Sequence, residues 1–476
     1  MAESHPSRPR ILRAALIPCA LIALFVPGAA CGSCLDWEAV YTLTGTGNIT
    51  EVRGVAVDGS GNVVTVGYET RLLQGRNWLV RKSDSAGVLV WSRSYVTLAD
   101  EQANGVAVLP DGRIFVAGTA SATGWMVRAY GADGSDLWSD TTTGGLQANA
   151  VAVTPDGNVV VAGGNPTWVV REYSAAGAVL WTRTFTAAGS PNDEAHGVAV
   201  GPSGIVAAVG ESSRGWYVRI YDAVGNEVRS FTWGDGVPPD DAATSVAIDE
   251  TGNLLIGGRG EADSWGHSLS LFRMYSATGD VLWSYDMLGM QGPGPSSQLA
   301  VAVVVGDHGL VYVGGPQGVV GFTATTGRVA WSDDTDGLAL LDAALASGPG
   351  GRLVVAWGNY FAWATRAYLD PATCPGAALN GHEHEDVLVY PNPVAGDTVR
   401  VAVRLPADVD EVMVDVFNVA MRHVFTGTWR NVRQGEGGVR ITGLSRWAPG
   451  LYYVKARAKG SRGVQGFSVT RLVIQR

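Results

Sequence analysis

The stretch GVAVDGSGNVVTVG, residues Gly54–Gly67, recurs along the chain and decides its fold. It returns as GVAVLPDGRIFVAG (Gly105–Gly118), AVAVTPDGNVVVAG (Ala150–Gly163), GVAVGPSGIVAAVG (Gly197–Gly210) and SVAIDETGNLLIGG (Ser245–Gly258). Two diverged copies follow, VVVGDHGLVYVGG (Val303–Gly315) and LASGPGGRLVVAW (Leu345–Trp357). The turn glycines Gly61, Gly112, Gly157, Gly204, Gly252, Gly309 and Gly351 are 51, 45, 47, 48, 57 and 42 residues apart. Each copy has a second half, in which Trp78-Leu-Val-Arg81 runs into SDSAGVLVWSRSY. Trp125–Arg128, Trp168–Arg171 and Trp216–Arg219 open equivalent segments. One repeat reads strand, Asp/Gly turn, strand, variable loop, strand, Gly turn, strand, in β-branched or alternating residues. Four antiparallel strands every 40–50 residues is one propeller blade. Seven copies predict an all-β, seven-bladed β-propeller over residues 31–374.

Composition agrees with many short strands. Glycine makes up 64 of 476 residues and charged residues only 16%, against a usual charged share of about 25%. A helical bundle, a coiled coil and a disordered chain are excluded. The net charge is −10 and lysine occurs only at Lys82, Lys455 and Lys459. Phosphate binding needs a positive field, so no nucleic-acid partner is expected.

The first thirty residues read as an export signal. Arg8, Arg10 and Arg13 precede the apolar run Ala14–Val26, and Pro27-Gly28-Ala29-Ala30 supplies small residues for cleavage. Thirteen residues rise about 20 Å as a helix, too short for a bilayer core of about 30 Å. Residues 1–30 are therefore expected to be a cleaved signal peptide, with no transmembrane segment elsewhere. Cleavage would expose Cys31. A lipobox carries a large aliphatic residue where Gly28 stands, so a soluble product is expected and a lipoprotein is the alternative.

The seventh repeat stops after its third strand, at Arg366-Ala-Tyr368. Its missing strand is supplied by Trp37-Glu-Ala-Val-Tyr41, which matches Trp91…Tyr95 in register. The N-terminus would then complete the last blade and remove an unpaired edge. On that alignment Cys34 and Cys374 both fall in the turn between third and fourth strands. A Cys34–Cys374 disulfide would restore chain continuity there, and export makes one chemically reasonable. Two unpaired thiols, or Cys31 as the partner, are the alternatives.

The pattern GVAVD-x-x-GN-V-x-V-x-G followed by W-x-V-R-x-Y resembles the repeats of bacterial secreted β-propellers of the SBBP type, over about Asp36 to Cys374. Such repeats carry no fixed activity.

The last ninety residues differ. Pro371–Asp386 (PATCPGAALNGHEHED) reads as a linker, with 375–386 assigned to neither domain. Short alternating strands over 387–476 then suggest a small Ig-like β-sandwich. Tyr390-Pro391-Asn392-Pro393, Pro449–Val454 and Thr470–Ile474 resemble the type A sorting domain of type IX secretion. They resemble equally the Ig-like domain of flagellar hook-assembly proteins. One departure is Asn418-Val-Ala-Met421-Arg422, which lacks the glycine of the family's turn. The resemblance implies type IX machinery or cell-envelope components as partners, and a secreted or surface-associated protein. Residues 387–476 hold 13 basic and 6 acidic groups, residues 31–386 hold 18 and 37. A basic tail on an acidic ring suits an anionic envelope.

Chemistry-bearing motifs are few. The repeated Arg81, Arg128, Arg171, Arg219, Arg273 and Arg366 could be imagined as an anion ring, but repetition favours inter-blade packing. Trp91, Trp138, Trp181, Trp283 and Trp331 resemble the docking tryptophans of quinoprotein dehydrogenases, and a structural role is favoured for the same reason. Acids recur before the first strands: Glu51, Asp100, Glu101, Asp193, Glu194, Asp240 and Asp241. On the rim these could bind a cation or a basic ligand, or cap turns. The long loops Trp233–Ala243 and Arg259–Leu269 add Asp235, Asp263 and His267. Asp333–Gly337 resembles part of a calcium loop but lacks its glutamate, and His382–Asp386 crowds ligand types into the linker. No cofactor is expected; calcium is the one ion entertained. No G-x-S-x-G, Cys/His pair or phosphate loop occurs. The reading is a non-catalytic binding or scaffold propeller. The alternative is an exported lyase or hydrolase working through loop acids, and its mark would be those acids gathered with His196 or His267.

Overall fold

The computed structural model describes residues 11–12, 35–42, 49–71, 75–97, 99–120, 124–142, 146–187, 193–212, 215–233, 241–260, 269–287, 302–315, 318–327, 329–333, 342–359 and 362–371. Towards the C-terminus it describes 387–390, 398–403, 409–418, 423–432, 438–447, 450–460 and 463–474. Two compact units result, Met1–Ala378 and Leu379–Arg476.

The first unit is a seven-bladed β-propeller. Blade 1 consists of Ile49–Val57, Val63–Arg71, Gly75–Ser83 and Leu89–Tyr95, paired in that order and all antiparallel. Blades 2 to 6 repeat the arrangement over 101–142, 148–185, 194–233, 242–287 and 302–333. Blade 7 takes three strands from Asp342–Gly348, Arg352–Asn359 and Ala362–Tyr368, and its fourth from Leu35–Thr42. Trp37 pairs with Ala367 and Tyr41 with Trp363, the register that Trp91 and Tyr95 keep in blade 1. Ile11–Leu12 adds two residues outside that strand. The first strands touch one another in sequence, blade 7 against blade 1 included, so the ring is closed.

Recurrent glycines of the first five repeats answer to one irregularity, two in each of blades 1, 2 and 4 and one in each of blades 3 and 5. In blades 1 to 5 the first strand slips register by one residue, at Arg53, Asn104, Asn149, His196 and Thr244. This β-bulge pushes the preceding carbonyl against the second strand. A Cβ on Gly67, Gly118, Gly163 or Gly210 would lie 1.9–2.1 Å from the carbonyl oxygen of Glu51, Gln102, Gln147 or Glu194. The glycine after the bulge meets the neighbouring blade instead: a Cβ on Gly54 would stand 3.3 Å from Gly105 Cα, and one on Gly105 3.2 Å from Ala150 Cα. Gly118→Ala should therefore destabilise the ring by about 3 kcal/mol, as overpacking against backbone does. Urea unfolding measures it, and a loss below a tenth of that would refute the bulge account.

Blades are fastened by the repeated tryptophans and arginines. Trp78, Trp125, Trp168, Trp216 and Trp363 on third strands are fully buried. Fourth-strand tryptophans lie on the turn of the next blade, with Nε1 donating to a carbonyl: Trp37 to Ser85, Trp91 to Ala132, Trp138 to Ala175 and Trp283 to Ala324. The turn glycine is required because its φ is positive and any Cβ would strike the ring, as at Gly87 (φ 81°), 2.7 Å from Trp37. The arginines cover aromatic rings of the preceding blade. Arg81 sits 3.8 Å from the Tyr41 ring centroid, Arg128 4.5 Å from Tyr95, Arg219 4.0 Å from Phe185 and Arg273 3.8 Å from Trp233. Burial lowers the pKa of Arg81. These cations are consumed in packing, not arrayed for an anion.

The second unit contains two antiparallel sheets. Val387–Tyr390, Thr398–Val403 and Gly438–Thr442 form the first. In the second, Val409–Asn418 lies between His423–Val432 and Gly450–Gly460, with Gly463–Ile474 outside the latter. Alternation buries Val412, Val414 and Val416. Among the described residues no helix is long and apolar enough to cross a membrane.

Candidate functional site

The bulge residues link the blades from within. Arg53 donates to the Asn104 side-chain oxygen at 3.5 Å, Asn104 to the Ala148 carbonyl at 3.0 Å and Asn149 to the Ala195 carbonyl at 2.9 Å. The acids expected before the first strands lie beside this belt. Because the bulge lets each first strand continue past the slip, Glu51, Glu101 and Glu194 fall inside strands rather than in loops.

Most of these acids organise the loops. Asp100 accepts the Arg76 amide at 2.8 Å. Glu101, buried, takes the hydroxyl and the amide of Thr97. Asp193 is fully buried and accepts the Ala187 amide at 2.7 Å, while its other oxygen has no hydrogen bond. Asp241 is half-buried before the first strand of blade 5. Asp235, Asp240, Asp263, His267, Cys34, Cys374, the aspartates of the 334–337 loop and the linker histidines lie outside the described residues.

Glu194 is different, because it has company. Its carboxylate receives Asn149 and Asn165 amides, one on each oxygen, both at 2.8 Å. His196, two residues on, places Nδ1 3.9 Å from Glu194 Oε1 and Nε2 3.9 Å from Glu211 Oε1. Glu211 stands opposite Glu194 in the ladder, and Arg259 reaches its Oε2 at 3.4 Å. One donor atom from each of Glu194, His196 and Glu211 falls within 4.8 Å of the others. The facing imidazole holds the Glu211 carboxyl below its usual range against the opposing effect of burial, and Arg259 adds to the lowering. Of this trio Glu194 was an expected site residue and His196 an expected companion. Glu211 was missed, and its only signal was its place immediately after the repeat glycine, where Tyr68, Thr119 and Arg259 stand in other blades.

Blade 1 holds the same positions with other chemistry. Glu51 faces Tyr68, which donates to it, and Arg53 replaces the imidazole and pairs with Glu51 at 2.7 Å. Burial and the carboxylate both raise the Tyr68 pKa. The acid is neutralised where it stands.

No protein-family profile matches this sequence, and neither does any curated protein. Among solved structures it is similar to a protein of unknown function from Bacteroides caccae, 17% identical with a TM-score of 0.40, over 59% of this chain and 98% of that one. It is also similar to the extracellular domain of a protein classed as a hybrid two-component system in B. thetaiotaomicron, at 12% identity and TM-score 0.45, over 92% of this chain and 57% of that one. The WD40 domain of Neurospora crassa Pan2 is a third, at 11% identity and TM-score 0.44, over 67% and 89%.

Proposed function

We propose that the chain is an exported, non-catalytic binding or scaffold propeller, held at the cell surface or released, and sorted by an Ig-like C-terminal domain through type IX secretion. One observation carries the binding reading. The repeated tryptophans, arginines and glycines are spent on holding blades together, so what distinguishes one blade from another lies in loops and strand ends. A rigid frame with variable loops is how binding surfaces are built. The apolar run Ala14–Val26 supports export, and the proposed Cys34–Cys374 disulfide would require an oxidising compartment. Tyr390–Pro393, Pro449–Val454 and the basic character of 387–476 support sorting.

An exported lyase or hydrolase is the second reading. It is favoured by the meeting of Glu194, His196 and Glu211, with Asp240, Asp241, Asp263 and His267 as further candidates in sequence.

The sorting proposal is tested by expressing the full-length chain and a 1–385 form in the native host, with protease shaving of intact cells. The full-length propeller should be degraded from outside and the truncated one protected within the periplasm. Equal exposure of both forms would refute the sorting role and leave the tail as an accessory domain.

A further inference from the structure

We propose that Glu194, His196 and Glu211 form a binding site for one divalent metal ion of the zinc class. The inference goes beyond the binding reading and holds whether or not the propeller recognises an envelope partner.

The first ground is the pairing of two like charges, only partly offset by Arg259 and the asparagine amides. Two carboxylates directly across an antiparallel ladder destabilise a sheet, and Glu194 and Glu211 occupy such a pair. At the same register the other blades differ: Glu51 faces Tyr68, Gln102 faces Thr119 and Ala242 faces Arg259. Blade 1 answers its single acid with Arg53. In blade 4 a second acid has replaced the phenol and an imidazole the guanidinium, leaving Arg259 at the margin of a doubly anionic pair. A divalent cation between them removes the conflict.

The second ground is the imidazole. Nε2 of His196 is sealed from solvent and, among the described residues, has only the Glu211 carboxylate near it, at 3.9 Å, beyond hydrogen-bond reach. A buried polar atom without a hydrogen bond is costly, and metal coordination is one chemistry that uses an imidazole nitrogen set beside carboxylates. Both neighbouring acids turn an Oε1 towards the ring.

The third ground is orientation from behind. Asn149 and Asn165 fix Glu194, and Arg259 holds the far oxygen of Glu211, leaving its Oε1 free to coordinate. Outer hydrogen bonds of this kind set the geometry of metal ligands. One zinc ion takes one imidazole nitrogen. With Nε2 as that ligand, its 3.9 Å separation from Glu211 Oε1 closes by about half an ångström on loading, to the roughly 3.3 Å between tetrahedral ligand atoms. One nitrogen and two carboxylate oxygens favour zinc, cobalt or nickel over calcium, which takes six to eight oxygens. Partial exposure of all three side chains leaves room for water in a fourth position.

The experiment titrates the full chain with zinc by calorimetry and with cobalt by visible absorption. Wild type should take up one ion at this site, and the cobalt spectrum should lack a thiolate charge-transfer band. Glu211→Gln and His196→Gln should each weaken that uptake tenfold or more, while a His382→Ala/His384→Ala linker variant retains it. In EDTA, Glu211→Gln should melt slightly below wild type, because His196 and Arg259 stabilise the ionised carboxyl; zinc should widen that gap by raising wild type alone. Uptake lost only in the linker variant, a thiolate band, or melting differences insensitive to zinc would each overturn the assignment.

Discussion

Deletion of residues 31–42 is expected to collapse the ring's stability, with the loss spread over all seven blades rather than confined to the last. The closing strand Leu35–Thr42 supplies the fourth strand of blade 7 and buries Trp37 to 3% exposure. Trp37 also donates to Ser85 in blade 1, while Arg352 pairs with Asp36 at 2.6 Å and Arg366 with Glu38 at 3.2 Å. Replacing a buried tryptophan by alanine alone costs about 3–5 kcal/mol, a large part of a typical stability of about 5–15 kcal/mol. Trp37→Ala should show that smaller loss, and the deletion a much greater one. Circular dichroism melts of the three proteins measure the series. A deletion variant that melts with the full-length protein would disprove closure by the N-terminus.

The second large effect is expected at Lys82. Its ammonium is 3.0 Å from Asp58, with both side chains nearly inaccessible, and it also reaches the Ala132 carbonyl of blade 2 at 3.4 Å. Removing one partner of a buried pair leaves an uncompensated charge, so Lys82→Ala should cost about 3–5 kcal/mol. Asp58 gives the pair a pH signature. Burial alone would raise its pKa, but the Asn62 side chain, Lys82 and the amides of Asn62 and Ser60 together bring it below the ordinary value. A depressed carboxyl contributes stability that is complete above its unfolded pKa, about 3.9, and is lost as pH falls through the lower folded value. Wild type should therefore lose this increment below about pH 4. Lys82→Ala, already without the ion pair, should show a shallower acid decline in chemical unfolding at pH 7 and pH 3. Parallel acid slopes in the two proteins would exclude the coupling.

The repeat told the fold plainly, since strand alternation and turn glycines are local and recur seven times. Closure was legible too, because Trp37 and Tyr41 keep the spacing of Trp91 and Tyr95. The bulge was not, as one extra residue breaks alternation where Glu51, Glu101 and Glu194 stand and makes strand resemble loop. Glu211 escaped for a related reason: it is seventeen residues from Glu194, and only the slipped register sets the two opposite. Lys82 stood out in the sequence only as one of three lysines. Comparison across repeats held part of the missing signal, since Ala129, Ile220, Met274, Phe322 and Ala367 occupy its place in five other blades and Glu172 in the sixth.

The closing pair also sets how the ring answers mechanical load. Leu35 pairs with Tyr368 at one end of the two strands, and Thr42 with Ala362 at the other. The chain thus enters and leaves the propeller at the same end of one antiparallel pair. Tension drawn between an anchored N-terminus and the tail falls on the Leu35–Tyr368 rung first, then on Trp37–Ala367, one after another. Loaded in that direction, hydrogen bonds peel singly instead of sharing the force in shear. The ring would then unzip under a modest pull, unless Cys34 and Cys374, which flank the two strands in sequence, are joined. A covalent clasp there would carry the whole load and leave the blades unstressed.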